Sequence, residues 1–197
     1  MAKTFSEALP TLGLNPQTDY LKVTCFPEAI RLSDPALSMM ADFNKLRAIT
    51  ISKNAPISDA EITMKSCGIH MLLVIDNSAQ VVGLITSEDL LGSKPVQLAQ
   101  ENHLARNEIK IHLVMTPINQ AAAIEYNELA HAHLSNVVAT MKQAKQHYAL
   151  AVEKGTDGQL VIRGLFSLAH ISRHAGINLL NDRQFADSLA ELQQKIG

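Results

Sequence analysis

Between Arg47 and Gly176 the spacing of apolar positions changes in a fixed order, and that order occurs twice. RAITIS (residues 47–52) alternates as a short strand does. In ISDAEITMKSCG, Ser58 and Glu61 stand at capping-box spacing and Ile57 and Ile62 at staple positions. Gly68 supplies a stop, so the pattern predicts a helix of about nine residues. HMLLVID is a continuous apolar run and predicts a strand buried on both faces. Asn77, Ser78 and Ala79 turn the chain into a return strand, QVVGLIT, where Gly83 signals a close backbone approach. Thr86 then caps a helix beginning SEDLL. The second pass reads AAAIEY as a strand and HLSNVVATMKQAKQ as a helix. Leu134, Val137, Val138 and Met141 share one face of that helix. HYALAV and QLVIRGLF follow as a strand pair joined by EKGTDG, and Ser167 caps LAHISRHAG.

Aligning Met64-Lys65 with Met141-Lys142 gives an offset of 77 residues, and aligning Gly83 with Gly164 gives 81. The difference fits in the longer hairpin turn, where added length is cheap. An internal duplication follows, with two βαββα-like units at about 46–92 and 121–175. The predicted class is α/β (α+β). The predicted layout is an N-terminal extension (1–44), a first repeat with a linker helix (45–110), a second repeat (111–176) and a C-terminal helix (177–197).

The flanks are less regular. Pro10, Gly13, Pro16, Pro27 and Pro35 break up the first 44 residues. Within them YLKVTCF predicts a short strand, and DPALSMMADF a short helix with Pro35 in its first turn. Between the copies, Pro95 opens a helix running toward Arg106, and Met115-Thr116-Pro117 predicts a turn. In the tail, Phe185, Leu189, Leu192 and Ile196 form an amphipathic stripe that suits a core edge or a dimer partner.

Composition narrows the function classes. Apolar residues make up 47% of 197, enough for a real core, while charged residues are 18% and the net charge is −2. A nucleic-acid binder carries a basic surplus, and this chain does not. Cys25 and Cys67 are isolated and belong to no CxxC step, which predicts reduced, partly buried thiols. The N-terminus lacks the pattern of a secretion signal, and no apolar run is long enough to span a bilayer. The expectation is a cytoplasmic protein without a membrane partner. There is no GxSxG, HExxH or GxxxxGK[ST]. Asp19, Glu28 and Asp34 have no paired base or nucleophile. His131, His133 and Glu128, like His170 and His174, fall short of a zinc ligand set. No catalytic residue and no metal site is predicted, and the chain reads as a non-enzyme.

The Thr86–Asp89 step carries the remaining chemistry. A carboxylate accepts two hydrogen bonds from a ribose diol, and at the third helical position its charge is favoured by the helix terminus. Free N–H groups there can meet a phosphate. The other physical reading is that Thr86 and Asp89 form a capping pair.

AITISKNAPISDAEITMKSCGIHMLLVIDNSAQVVGLITSEDLL resembles the tandem CBS-domain family, whose paired repeats form a Bateman module. The resemblance runs from about Phe43 to Gly176. Gly83–Asp89 is its most specific part, and KIHLVMTP resembles the segment that introduces a second repeat. It implies two repeats packed pseudo-symmetrically around two clefts that take AMP, ADP, ATP or S-adenosylmethionine as a regulatory ligand, with no cofactor required. On this chain Asp89 would hold the ribose hydroxyls, with Thr86 near the ribose or phosphate and Thr50 lining the same cleft. Ile69, His70 and Met71 would frame the base. In the second copy Ser167 matches Thr86, and His147 and Tyr148 match His70 and Met71. His170 stands where Asp89 stands, and a neutral imidazole offers one acceptor at most. Arg163 and Arg173 are candidates for phosphate contact. The resemblance further implies a homodimer and a separate effector protein. The expected function is a non-catalytic sensor of an adenosine-containing nucleotide; the alternative is a ligand-free structural or protein-interaction module.

Overall fold

A computed structural model describes residues 11–12, 30–155 and 158–180. After a 3-10 turn at Ala36–Met39 come β1 (Ala41–Asp42), β2 (Thr50–Ser52), α1 (Ile57–Cys67), β3 (Met71–Ile75), β4 (Val81–Thr86) and α2 (Ser87–Leu91). A linker holds α3 (Ser93–Asn102) and α4 (Ile111–Val114). Then follow β5 (Thr116–Pro117), β6 (Ala123–Glu125), α5 (Tyr126–Leu129), α6 (Leu134–Gln143), β7 (Tyr148–Lys154), β8 (Leu160–Ser167) and α7 (Leu168–Ala175). The predicted order of strand, helix, strand, strand, helix is present twice, as β2-α1-β3-β4-α2 and β6-α6-β7-β8-α7, with α5 inserted in the second. The expected strand YLKVTCF, Cys25 and the Phe185–Ile196 stripe lie outside the described residues.

Two four-stranded sheets form, ordered β2-β3-β4-β5 and β6-β7-β8-β1. In each, the first strand runs parallel to the second and a hairpin follows. Each hairpin carries an irregularity at an equivalent place, between Val74 and Ile75 and between Ala151 and Val152. The fourth strand of each sheet comes from the segment that introduces the other repeat. Thr116 and Pro117 pair with Leu84 and Gly83, and Ala41 and Asp42 pair with Leu165 and Gly164. This exchange requires the two glycines. A Cβ on Gly83 would lie 2.6 Å from the Thr116 carbonyl oxygen, and one on Gly164 would lie 2.6 Å from that of Ala41. The approach inferred from Gly83 is therefore an edge strand crossing over from the other repeat.

Alternation along the central strands divides the core in three. Leu72 and Val74 face α1 and join Ile57, Ala60, Met64 and Ile85 in the first repeat's own core. Ala149 and Ala151 face α6 with Val137, Val138, Met141 and Phe166. Met71, Leu73, Leu84 and Leu150 point the other way and pack the two sheets against each other, with Tyr148 and Leu165 beside them. The two-sided burial predicted for HMLLVID is thus divided between a repeat core and the contact between repeats.

Several local expectations are overturned. The first helix begins at Ile57, with Pro56 as its cap, so Ser58 and Glu61 lie inside it and form no capping box. The Ile57 N–H is satisfied from afar, by the Ile109 carbonyl at 2.9 Å. Glu61 instead meets Lys65 at 2.9 Å. No staple forms, because Ile57 is buried while Ile62 is 65% exposed. Pro35 caps a short 3-10 turn from outside. Met115-Thr116-Pro117 is not a turn: its last two residues form β5, and Pro117 is tolerated because that strand is an edge.

Candidate functional site

Strands β4 and β8 end where the two repeats face each other. Both strands deliver a small hydroxyl residue to start a helix: Thr86 stands opposite Met71, and Ser167 opposite Tyr148. Thr86 Oγ1 accepts from the Asp89 N–H at 3.1 Å and donates to Asp89 Oδ2 at 2.8 Å. The Thr86 N–H also donates to Oδ2, at 2.8 Å. The capping box is therefore complete, and it occupies one carboxylate oxygen while leaving Oδ1 without a hydrogen bond among the described residues. Ser167 Oγ accepts from the His170 N–H at 3.3 Å, but His170 sends nothing back to close a box.

Beside Thr86 lies a cleft of about 340 Å3 between the repeats. One wall is Leu84, Thr86, Glu88 and Asp89, and the other is the loop Ala144–His147 with Tyr148. Thr116 and Gln120 complete the lining. Of the ten residues proposed from sequence, Thr86, Asp89, His147 and Tyr148 line this cleft. Ser167 joins them through its hydrogen bond to Tyr148. The other five do not line it. Thr50 is exposed on β2, and Ile69 packs on the first repeat's core. His70 is exposed, with its carbonyl accepting from the Ser87 N–H at 2.9 Å. Met71 is buried between the sheets, and His170 is exposed on α7. The sequence reading grouped Asp89 with residues 69–71 of its own repeat. The structure sets it across from 144–148 of the other, because the sheets pack face to face.

The cleft's electrostatics are mixed. Glu88 and Asp89 stand on one wall, and Lys145 and His147 on the other. His147 Nδ1 lies 2.7 Å from both oxygens of Glu88, so a hydrogen-bonded pair spans the two repeats. The Tyr148 hydroxyl is pushed up, first by burial and then by the negative charge of Glu88, while the Ser167 hydrogen bond opposes the shift. Glu88, Lys145 and Gln146 were not singled out from sequence. Glu88 sits inside the SED step, but only its partner from the other repeat reveals its role. Gln146 fixes the loop by accepting from the Ala122 N–H at 2.8 Å and donating to the Gln120 carbonyl at 2.5 Å.

Residues 40–94 match the CBS domain family. The matched stretch runs from β1 into α3 and so spans the first repeat. An uncharacterised conserved protein of Pyrococcus horikoshii has a similar fold, at 17% identity and a TM-score of 0.52, over 73% of this chain and 93% of that one. A CBS-domain protein of unknown function from Thermoplasma acidophilum is similar at 18% identity and a TM-score of 0.50, over 79% of this chain and 78% of that one. At such identities the likeness concerns the fold. CBS domains are non-catalytic regulatory units, and the paired sheets here have the tandem CBS architecture.

The second CBS repeat differs from the first where chemistry would occur. His170 replaces the carboxylate, and its ring centroid lies 4.3 Å from that of His174. Burial, followed by the nearby His174 and Arg173, pushes the His170 imidazole below its ordinary range. Arg163 is committed elsewhere, at 3.1 Å from Asp42 and 3.6 Å from Glu153, with its guanidinium over the Tyr126 ring. Arg163, named from sequence only as a candidate for phosphate contact, holds β1 onto the second sheet. Among the described residues, no group of three or more His, Cys, Asp or Glu is placed to hold a metal ion, and no helix is long and apolar enough to cross a membrane.

Proposed function

We propose that this CBS-domain protein is a non-catalytic sensor of an adenosine-containing nucleotide, bound in the cleft between Asp89 and the 144–148 loop. The observation that carries the reading is the division of labour at Asp89. Oδ2 is fixed by Thr86, which orients the group, and Oδ1 is left as an acceptor at a cleft. A fixed carboxylate facing a polar cleft of this size suits a ribose diol. Thr50, Ile69, His70 and Met71 then serve as supports for the strands around the cleft. In the second repeat Ser167 and His170 stand where Thr86 and Asp89 stand in the first, and no carboxylate is there to clamp a diol. AMP, ADP, ATP and S-adenosylmethionine are the ligands to distinguish. A regulatory effect of the ligand, on an effector protein or on a second copy, requires different affinity for two arrangements of the repeats.

Calorimetric titration with that panel tests the reading. Binding in the micromolar range that weakens in Asp89→Asn supports it. Absence of binding by every adenosyl compound at millimolar concentration sinks it. One observation favours a second reading, a protein-interaction module without ligand: the capping box already consumes Thr86 and half of Asp89. Pull-down of the same partner by wild type and Asp89→Asn, with no adenosyl compound bound, is what that reading expects.

A further inference from the structure

The Glu88–His147 pair stands at the cleft beside Thr86, and the second repeat has no carboxylate at the place of Glu88. Glu88 is two residues beyond Thr86, and the matching place beyond Ser167 holds Ala169. His147 precedes Tyr148 as His70 precedes Met71, and both carbonyls accept equivalent N–H groups, from Leu168 and Ser87, at 2.9 Å. The backbones are alike, yet of the two histidines only His147 has a carboxylate partner among the described residues, and Ala169 takes the place of Glu88 in the second repeat.

The pair also has a particular place. It bridges the cleft wall that holds Asp89 to the opposite loop, and both side chains remain open to solvent at 45% and 64% exposure. The basic residues lining the cleft are His147 and Lys145, both on the loop facing Asp89. A ribose whose diol meets Asp89 presents its 5′ substituent on the opposite edge, toward that loop. A phosphate arriving there competes with Glu88 for the same imidazole N–H. Both partners are anions, so the histidine exchanges one charge-assisted hydrogen bond for another.

We propose that Glu88–His147 is a strap between the repeats that a 5′-phosphate opens: phosphate takes His147 from Glu88, and the cleft thereby distinguishes a nucleoside monophosphate from its unphosphorylated nucleoside. This rests on the adenosyl reading of the cleft and adds to it a phosphate discriminator. The released Glu88 is then the group whose position reports occupancy. The second repeat, with Ala169 at the matching place, has no such exchange.

The test is the ratio of AMP to adenosine affinity, measured by calorimetry on wild type, Glu88→Gln and His147→Ala, with the melting temperature of each as a check on folding. Removing the competing carboxylate raises the ratio in Glu88→Gln by about tenfold, the scale of one charged hydrogen bond. In His147→Ala the ratio falls toward one. The His147 ring resonances of the wild type shift with AMP and stay in place with adenosine. An unchanged ratio in Glu88→Gln overturns the exchange, as does equal weakening of both ligands in His147→Ala. In either case adenosine binding persists and the adenosyl reading stands. If neither ligand binds wild type at millimolar concentration, both the strap and the adenosyl reading fall.

Discussion

The Asp89 carboxylate caps its own helix and is proposed to clamp a ligand, and substitution separates the two. It accepts twice through Oδ2 within its own turn, while Oδ1 has no hydrogen bond among the described residues. Asparagine can keep an oxygen toward Thr86, which leaves an NH2 facing the cleft, a donor where the diol needs an acceptor. Asp89→Asn is therefore expected to weaken adenosyl binding about ten- to a hundredfold. The loss of helix-terminal charge costs at most about 1 kcal/mol of stability. Calorimetry and urea denaturation measure the two effects separately, and equal ligand affinity in both proteins would refute the assignment. Thr86→Ala reverses the balance: it removes the cap and costs about 1–2 kcal/mol. The Thr86 and Ser167 caps were legible in the sequence because a cap is a local bargain between residues three apart. The Ser58–Glu61 box was misread for the same reason. Its spacing is local, but the helix start was decided by a hydrogen bond to Ile109, far along the chain.

At the scale of elements, the exchange of β1 and β5 between repeats explains why the duplicated hairpins were legible and their edge strands were not. Hairpins follow from alternation and a nearby turn, whereas a two-residue strand is defined by a partner remote in sequence. The glycines gave the sole local hint. Gly164→Ala would set a methyl 2.6 Å from the Ala41 carbonyl oxygen and 3.0 Å from Met40 Cγ. The edge must shift, at an expected cost of about 1–3 kcal/mol. Chemical denaturation checks the cost, and undiminished stability would show that β1 yields freely. The same edge responds to acid. Asp42 is held below its ordinary 3.8 first by the Asn44 backbone N–H and then by Arg163. Lowered in the folded state, it contributes stability above pH 3.8 that is lost as pH falls through the folded value. The Phe43 N–H, bonded to the Arg163 carbonyl at 2.9 Å, should lose exchange protection below that pH before the central strands do. Asp42→Asn should abolish this early step.

For the whole molecule, the duplication in the sequence led to paired sheets, but not to the residues each repeat places opposite the other. The Glu88–His147 contact joins side chains on separate repeats, and neither local period nor capping pattern encodes such a pair. The same limit applies to contacts between molecules, where the described surface adds what the sequence could not. Ile62 on α1 and Leu91 at the end of α2 are 65% and 76% exposed, and their helices pack side by side. Val96 on α3 is 51% exposed nearby in the chain. Apolar side chains presented by adjoining helices suit burial against an equivalent surface, and a two-fold contact needs a patch that fits itself. We expect a homodimer joined through these helices. Ile62→Glu and Leu91→Glu alter exposed positions, so monomer stability should move by no more than about 0.5 kcal/mol. Within a dimer, each would set a pair of desolvated carboxylates against a facing apolar patch, at a cost large enough to separate the subunits. Sedimentation velocity should find wild type dimeric and both variants monomeric at the same micromolar concentration, with unchanged melting of the monomer. A wild type that stays monomeric through the micromolar range removes the dimer. Variants that remain dimeric move the interface away from α1 and α2.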